Sequence, residues 1–316
     1  MLALFTIVAV LLAILGLPDS AFAWGPITHI VHGSQVLANI TSLPPALQVI
    51  IGANENRYLY GCIGADIVQA KAYTRSLATH CHGWPVAWEL VRQARGDGQK
   101  AFAWGYMTHL AADILSHNHF VPIHTLISFR ARTSGHAYWE ARMDGLQQIR
   151  YWRRARQVLG FTYEDCDELV EQTIEHTLLS FKANKRIFDS LMGISKLEQW
   201  QLLVNTVNRA SRYSLSRTTV ERYNHACVHA VMDLLVHKKH SFTQELDATG
   251  NEMLKRSIRL RRELRKLRRG RSLDSRRWLR RSSNVRGRRV PPRSDRSTTP
   301  SAGSSPHIPH TSTSVD

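Results

Sequence analysis

The sequence of 316 residues has few cysteines and few strand signals. Runs in which polar and apolar residues alternate, which predict half-buried strands, are absent, and so is any internal repeat. No C-x-x-C spacing occurs, which argues against a zinc site built from thiolates. The four cysteines are Cys62, Cys81, Cys166 and Cys227, an even number that permits disulfides in an exported protein through any of three pairings.

Long apolar runs are also missing beyond the first 17 residues. Residues 2–17 are apolar and uncharged, but this run is shorter than the ~20 residues that a bilayer span needs. Ala21 and Ala23 then supply the small residues of a signal peptidase site, although no Lys or Arg precedes the run. We predict a signal peptide over residues 1–23, with an uncleaved anchor as the alternative. Either way the remainder would lie outside the cytoplasm, secreted or periplasmic.

The net charge of +17 is unevenly distributed. Residues 255–316 contain 19 of the 42 basic residues and only 4 of the 25 acidic ones, so this segment accounts for 15 of the excess. We predict one domain over residues 24–245 and a basic, largely disordered tail over 246–316, with a possible amphipathic helix at 254–269. The tail is either a solvated extension or an attachment to an anionic surface, such as lipid headgroups or nucleic acid.

The domain is predicted to be all-α, because apolar residues recur at helical spacing in five segments. Glycine-containing breaks are predicted at residues 96–98 and 133–135. The predicted helical segments are 101–116, 137–159, 163–181, 197–211 and 220–236.

Histidines are concentrated in the first half of this domain. Nine of the 16 histidines lie between His29 and His136. His109 precedes Asp113 by four residues, and His136 precedes Glu140 by four, so each pair shares one face of a helix. An imidazole and a carboxylate are ligands that zinc accepts. One such pair is usually a surface pair, but two pairs within about thirty residues favour a metal site.

Further candidate ligands surround these two pairs. Asp66 lies in an apolar setting, where a lone carboxylate is costly to bury. His80 and His82 flank Cys81, a possible neighbour of the metal, and His119 follows closely on the first pair. Several histidines and acids buried together without metal would need an extended hydrogen-bond network. A multinuclear metal cluster is the simpler interpretation.

The order of these motifs resembles the zinc-dependent phospholipase C family. It runs Trp-Gly and Thr-His, then Gly-Ala-Asp, His-Gly-Trp, His-x3-Asp-x5-His and finally Gly-His-x3-Glu. The resemblance covers residues 24–140 by motif. It implies an exported all-helical protein that binds two to three zinc ions. It also implies that the mature N-terminal tryptophan, here Trp24, is a metal ligand.

The resemblance assigns three ligand groups, residue by residue. It implies that Asp113 bridges the first two ions and that either His80 or His82, with a slight preference for His82, serves the second. His32, His117 and His124 are interpreted as outer partners or surface residues. The implied groups are Trp24, His29 and Asp113 for one ion; Asp66, His80 or His82, His109 and Asp113 for another; and His119, His136 and Glu140 for a third.

Such a cluster predicts metal-assisted hydrolysis of a phosphodiester, with Asp66 as the general base. A phospholipid substrate would give diacylglycerol and a phosphorylated headgroup. One alternative is a single-strand-specific zinc nuclease, since those enzymes also resemble this chain in Trp-Gly and a histidine five residues later. Glu140, where those nucleases typically have Asp, favours the phospholipase. A second alternative is a non-catalytic surface protein stabilised by a metal closed to solvent.

Overall fold

A computed structural model describes residues 24–67, 80–128, 135–174, 185 and 194–270, without the side chains of 135–137, 194–196 and 267–270. Within these ranges all regular structure is helical, which confirms the predicted all-α class. A π-helical turn, Ser116–Phe120, joins two of the helices. The α-helices are α1 (Pro26–Ala38), α2 (Pro45–Ala53), α3 (Glu55–Ile67), α4 (Trp84–Gln93), α5 (Gly96–Leu115), α6 (Val121–Ile127), α7 (Gly135–Asp144), α8 (Ile149–Leu159), α9 (Glu164–Thr173), α10 (Ile194–Ala210), α11 (Arg217–His237) and α12 (Asn251–Gly270).

The predicted helix over 137–159 is wrong as a single element. The chain forms α7 and α8 there, separated by a turn that begins at Gly145. A Cβ at Gly145 would lie 2.2 Å from the amide nitrogen of Asn208 and 3.1 Å from the carbonyl oxygen of Val204. The chain therefore turns where its backbone lies against α10. The predicted helix over 163–181 is present as α9 up to Thr173, and residues 175–181 lie outside the described residues.

The predicted break at 96–98 is the beginning of α5 rather than a loop. Gly96 has a φ of +66°, in the left-handed region that favours glycine, and the helix runs from it. The second predicted break covers residues 133–135. Gly135 is the first residue of α7, and residues 133 and 134 lie outside the described part.

Helix α5 is the centre of the fold. Its side chains are buried on all faces from Ala101 to Ile114, as expected for a helix that is surrounded by other elements. It packs most closely on α3, where Gly61 and Gly105 meet with a Cα of one about 3 Å from the Cβ position of the other. Small residues at this crossing bring the two backbones together. As a result Asp66 at the end of α3 lies near His109 and Asp113 of α5.

The compact unit that contains these helices extends to Lys266, so it includes most of α12. Leu254 packs against the core, and the side chains of Ser257 and Arg261 are buried. The last turn of α12 belongs to a second unit, residues 267–316. The described helices include none that is both long and apolar enough to cross a bilayer. The four cysteines are buried free thiols.

The glycine crossing yields a stability prediction. A Cβ at residue 105 would lie 2.0 Å from the carbonyl oxygen of Tyr58, so Gly105→Ala would force α3 and α5 apart. We expect a loss of about 3 kcal/mol or more in the free energy of unfolding, measured by urea denaturation followed by circular dichroism.

Gly52→Ala is the matched control. The added Cβ in α2 would meet only the flexible end of Ile40, at 3.3 Å, and alanine is the better helix former. Its free energy of unfolding should change by less than about 1 kcal/mol. Equal effects of the two substitutions would contradict the close crossing.

Candidate metal centre

Three histidines and two aspartates from four parts of the chain converge at the end of the α3–α5 crossing. His29 comes from α1, Asp66 from α3, His82 from the loop before α4, and His109 and Asp113 from α5. Each of these five side chains is at most 2% exposed. The protein interior therefore contains a cluster of ionisable side chains, which are rarely buried without a partner.

The carboxylate of Asp113 is the centre of this cluster. Its Oδ1 lies 3.2 Å from Nε2 of His29, and its Oδ2 lies 3.2 Å from Nε2 of His82 and 3.1 Å from Nε2 of His109. The two oxygens thus face different imidazoles. This arrangement suits a carboxylate that bridges two cations.

The donor atoms of Asp66, His82 and His109 form a group around one point. Nε2 of His82 and Nε2 of His109 are 3.1 Å apart, and Oδ1 of Asp66 lies 3.5 Å from the first and 3.9 Å from the second. In a tetrahedral zinc site with bonds of about 2.0–2.1 Å, ligand atoms are about 3.3 Å from one another. The nitrogen and oxygen donors present here therefore fit zinc in type and spacing.

Hydrogen bonding within the protein does not account for the cluster. Neither oxygen of Asp113 and neither ring nitrogen of His29 has a hydrogen bond of acceptable geometry with any residue that the structure describes. Leaving a buried polar group without such a bond costs about 1–3 kcal/mol, and more for a charge. A cation between these groups would remove that cost.

Outer contacts fix which nitrogen of His109 faces the cluster. Its Nδ1 lies 2.9 Å from the carbonyl oxygen of Cys62, and a carbonyl only accepts. Nδ1 therefore donates, which leaves Nε2, on the side of the cluster, with the lone pair that a metal would bind. For His82 the corresponding contact joins Nδ1 to the Sγ of Cys81, at 3.3 Å.

The pKa shifts of His29 and Asp113 favour the forms of these two side chains that bind metal. Burial, helped by the nearby His109, lowers the pKa of His29 to about 4, so its imidazole is neutral. Burial alone would raise the pKa of Asp113, but His109 and His29 hold it well below its ordinary value. A neutral imidazole and an ionised carboxylate are the species that coordinate a metal.

Asp144 positions α1, which carries His29. Its carboxylate accepts hydrogen bonds from the backbone N–H of Thr28 at 2.9 Å, from the Thr28 hydroxyl at 2.7 Å and from the backbone N–H of Ile27 at 3.3 Å. It thus caps the N-terminus of α1 from the end of α7. Burial raises the pKa of Asp144 to about 6, with the Thr28 donors opposing the rise.

Gly25 leaves the space that this cap occupies, because a Cβ there would lie 2.2 Å from Oδ2 of Asp144. Asp144 is a functional residue that the sequence does not point to. No local signal marks it, since its partners lie 116 and 117 residues earlier.

Of the two alternative histidines, the structure places His82 in the cluster. His80 is half-buried, and its Nδ1 accepts a hydrogen bond from the backbone N–H of His82 at 3.0 Å. The donor atoms of His80, Cys81 and His82 also lie within 4.8 Å of one another.

Trp24 is fully buried beside α5. Its indole N–H donates to the carbonyl oxygen of Ala112 at 3.0 Å, one residue before Asp113, and its ring packs on Phe120. This contact joins the tryptophan side chain to the residue of α5 that precedes Asp113. Its role as a metal ligand stays a prediction.

The third predicted ligand group is not assembled by the side chains described. His119 is exposed, and its Nδ1 lies 2.8 Å from the hydroxyl of Tyr223. Glu140 is buried in α7, and the side chain of His136 lies outside the described part. The third site therefore stays a prediction.

The other three histidines that the sequence points to, His32, His117 and His124, are buried. His32 lies 3.1 Å from the side-chain oxygen of Asn224 through its Nε2, and Nδ1 of His124 lies 2.7 Å from the carbonyl oxygen of Phe120. Nδ1 of His117 contacts the carbonyl oxygen of Ala248, and the His117 ring is 6.2 Å from that of His82. Each therefore has a protein partner for one ring nitrogen.

The geometry of Asp113 yields a prediction about metal content. Asp113→Asn replaces one of its oxygens with an NH2 group, which cannot bind a cation. We expect the purified protein to lose at least one zinc equivalent by elemental mass spectrometry while its helical circular dichroism is retained.

Asp97→Asn is the control in the same helix, because the side chain of Asp97 is 59% exposed. Its zinc content should equal that of the wild type. If the Asp113 variant kept its full zinc content, the bridging role would be wrong.

Comparison with known proteins agrees with this geometry. The family profile of zinc dependent phospholipase C matches residues 28–187, which include the cluster residues from His29 to Asp113. Neither the curated proteins nor the solved structures contain a match. The match covers about half of the chain and the buried cluster lies within it, so the chain belongs to the zinc-dependent phospholipase C family.

Proposed function

We propose that this chain is an exported, zinc-dependent phosphodiesterase that hydrolyses phospholipids to diacylglycerol and a phosphorylated headgroup. The observation that carries the proposal is the buried Asp113 carboxylate, which has three imidazole nitrogens within 3.2 Å. The family assignment supports zinc as the cofactor and phospholipid as the substrate class.

The described residues divide into two ligand groups that share Asp113. His29, with Trp24, would hold one ion, and Asp66, His82 and His109 would hold the other. Bound zinc would stabilise the negative charge on the phosphoryl oxygens of a phosphodiester and would lower the pKa of a bound water to ~7. The burial of all five cluster residues fixes these groups before substrate arrives, so little reorganisation is needed.

We assign proton transfer to Asp66. Its Oδ1 is 3.5 Å from Nε2 of His82 and 3.9 Å from Nε2 of His109, and a carboxylate oxygen of Asp66 lies within 4.8 Å of a ring nitrogen of His29. A carboxylate in this position would accept a proton from the attacking water and hold it until product leaves.

The proposal also includes a third ion on His119, His136 and Glu140. Such an ion would polarise the phosphoryl group of the substrate. The count of two or three ions is left to elemental analysis of the purified protein.

Nuclease activity is the second candidate from the same chemistry, since a nucleic acid is also a phosphodiester. The family match and Glu140, where those nucleases typically have Asp, favour phospholipid. A non-catalytic role would require that the metal lacks an open coordination position.

The activity prediction is measured on the full chain loaded with zinc. We expect diacylglycerol release from phosphatidylcholine and phosphatidylethanolamine in mixed micelles, loss of that release with a chelator, and recovery with zinc. Asp66→Asn should lower kcat by about 10²–10⁴-fold.

Asp97→Asn should leave the rate unchanged. Faster cleavage of single-stranded DNA than of phospholipid would establish the nuclease instead. If the zinc-loaded protein cleaves neither substrate, the non-catalytic alternative is correct.

Export would create the metal-binding group of Trp24. Cleavage after Ala23 would free the α-amino group of Trp24, which could then bind metal together with its carbonyl oxygen. We expect the intact mass of the exported protein to correspond to a chain that begins at Trp24.

A matched pair of leader variants tests this processing. Ala23→Leu should block cleavage and lower the bound zinc by one equivalent, whereas Ala13→Leu, in the apolar run, should change neither. Full zinc content in a chain that keeps its leader would contradict the ligand role of Trp24.

A further inference from the structure

The exposed face of α12 carries a strong positive charge. Between residues 251 and 266 its exposed side chains include five cations and only two acids, Glu252 and Glu263. Four of the cations follow the spacing i, i+4, i+7 and i+11, which places them within about 60° of one face of a helix. These four form the cation stripe: Lys255, Arg259, Arg262 and Lys266.

The opposite face of α12 fixes this stripe in position. Leu254 packs against the core, and Ser257 and Arg261 are buried at 6% and 7% exposure. A free charged tail would show no such division between a buried and an exposed face. The stripe is therefore presented by a docked helix that belongs to the compact unit.

The protein itself does not neutralise the stripe. Lys255 pairs with Glu252 at 3.0 Å, where the Lys255 side chain is 64% exposed and the pair is weak. Arg259, Arg262 and Lys266 form no ion pair with any side chain that the structure describes. Three unpaired cations along about 10 Å of helix complement an anionic surface rather than a single anion.

The helix also begins close to the candidate metal centre. Gly250, just before α12, lies against His117, with a Cβ position 2.4 Å from that of His117. The His117 ring is in turn 6.2 Å from the ring of the cluster residue His82. The start of the helix that carries the stripe therefore lies against a residue that is itself close to the cluster.

We propose that the cation stripe is a docking surface for an anionic lipid bilayer, which holds the site at the membrane that contains its substrate. This proposal rests on the phospholipid substrate of the proposed function, which favours a bilayer over nucleic acid as the partner. Each cation near an anionic membrane is worth roughly fivefold in affinity.

The test compares two variants of the full chain that each lose four positive charges. One is Lys255→Gln, Arg259→Gln, Arg262→Gln and Lys266→Gln, and the control changes the tail arginines 276, 277, 280 and 281 to Gln. Binding to vesicles of phosphatidylserine and phosphatidylcholine is measured by sedimentation with a chelator present, so that a failure of catalysis does not affect it. Circular dichroism checks that both variants are folded.

We expect the stripe variant to lose about 100-fold or more in affinity, and to lose most of the salt dependence, while the control loses much less. Equal losses in the two variants would overturn the proposal, because net charge alone would then explain binding. A stripe variant that binds vesicles like the wild type, or that loses single-stranded DNA binding but not vesicle binding, would also overturn it.

Discussion

The fold depends on the burial of one carboxylate, that of Asp113, inside a helix that is covered on every side. A lone anion in such a position is among the most costly groups that a protein can bury. The compensation is distributed over the chain, since the nearest imidazoles come from α1, from the loop before α4 and from α5 itself. These elements must therefore meet at one point, and the crossing of Gly61 with Gly105 allows the approach.

The sequence predicted the parts of this centre that have a local signal. The spacing of His109 and Asp113 follows from the helical repeat, and Asp66 was noticeable as an acid in an apolar segment. The all-α class was likewise predictable from periodicity. By contrast the choice between His80 and His82 depends on how the loop before α4 packs on α5, which no local pattern encodes.

The features that the sequence did not predict are contacts between distant segments. Asp144 caps α1 across more than 110 residues, and it looks like an ordinary helical acid in the sequence. The turn at Gly145 directly follows Asp144. The chain turns there against Asn208, and α7 therefore ends beside the start of α1. Helical periodicity continues through such a turn, and for this reason the sequence pattern predicts a single helix over 137–159.

The segment between α11 and α12 connects the centre with the charged surface. Backbone carbonyls of this segment accept hydrogen bonds from Trp84 at 3.0 Å and Asn118 at 2.7 Å, and the carbonyl of Ala248 contacts His117. Trp84 follows the cluster histidine His82 by two residues, whereas Asn118 follows Asp113 by five. One stretch of backbone therefore ties two ligand-bearing segments together and sets where α12 begins. Loosening this stretch would displace both the ligands and the cation stripe, so the geometry of the centre and its approach to an anionic surface are properties of the same packing.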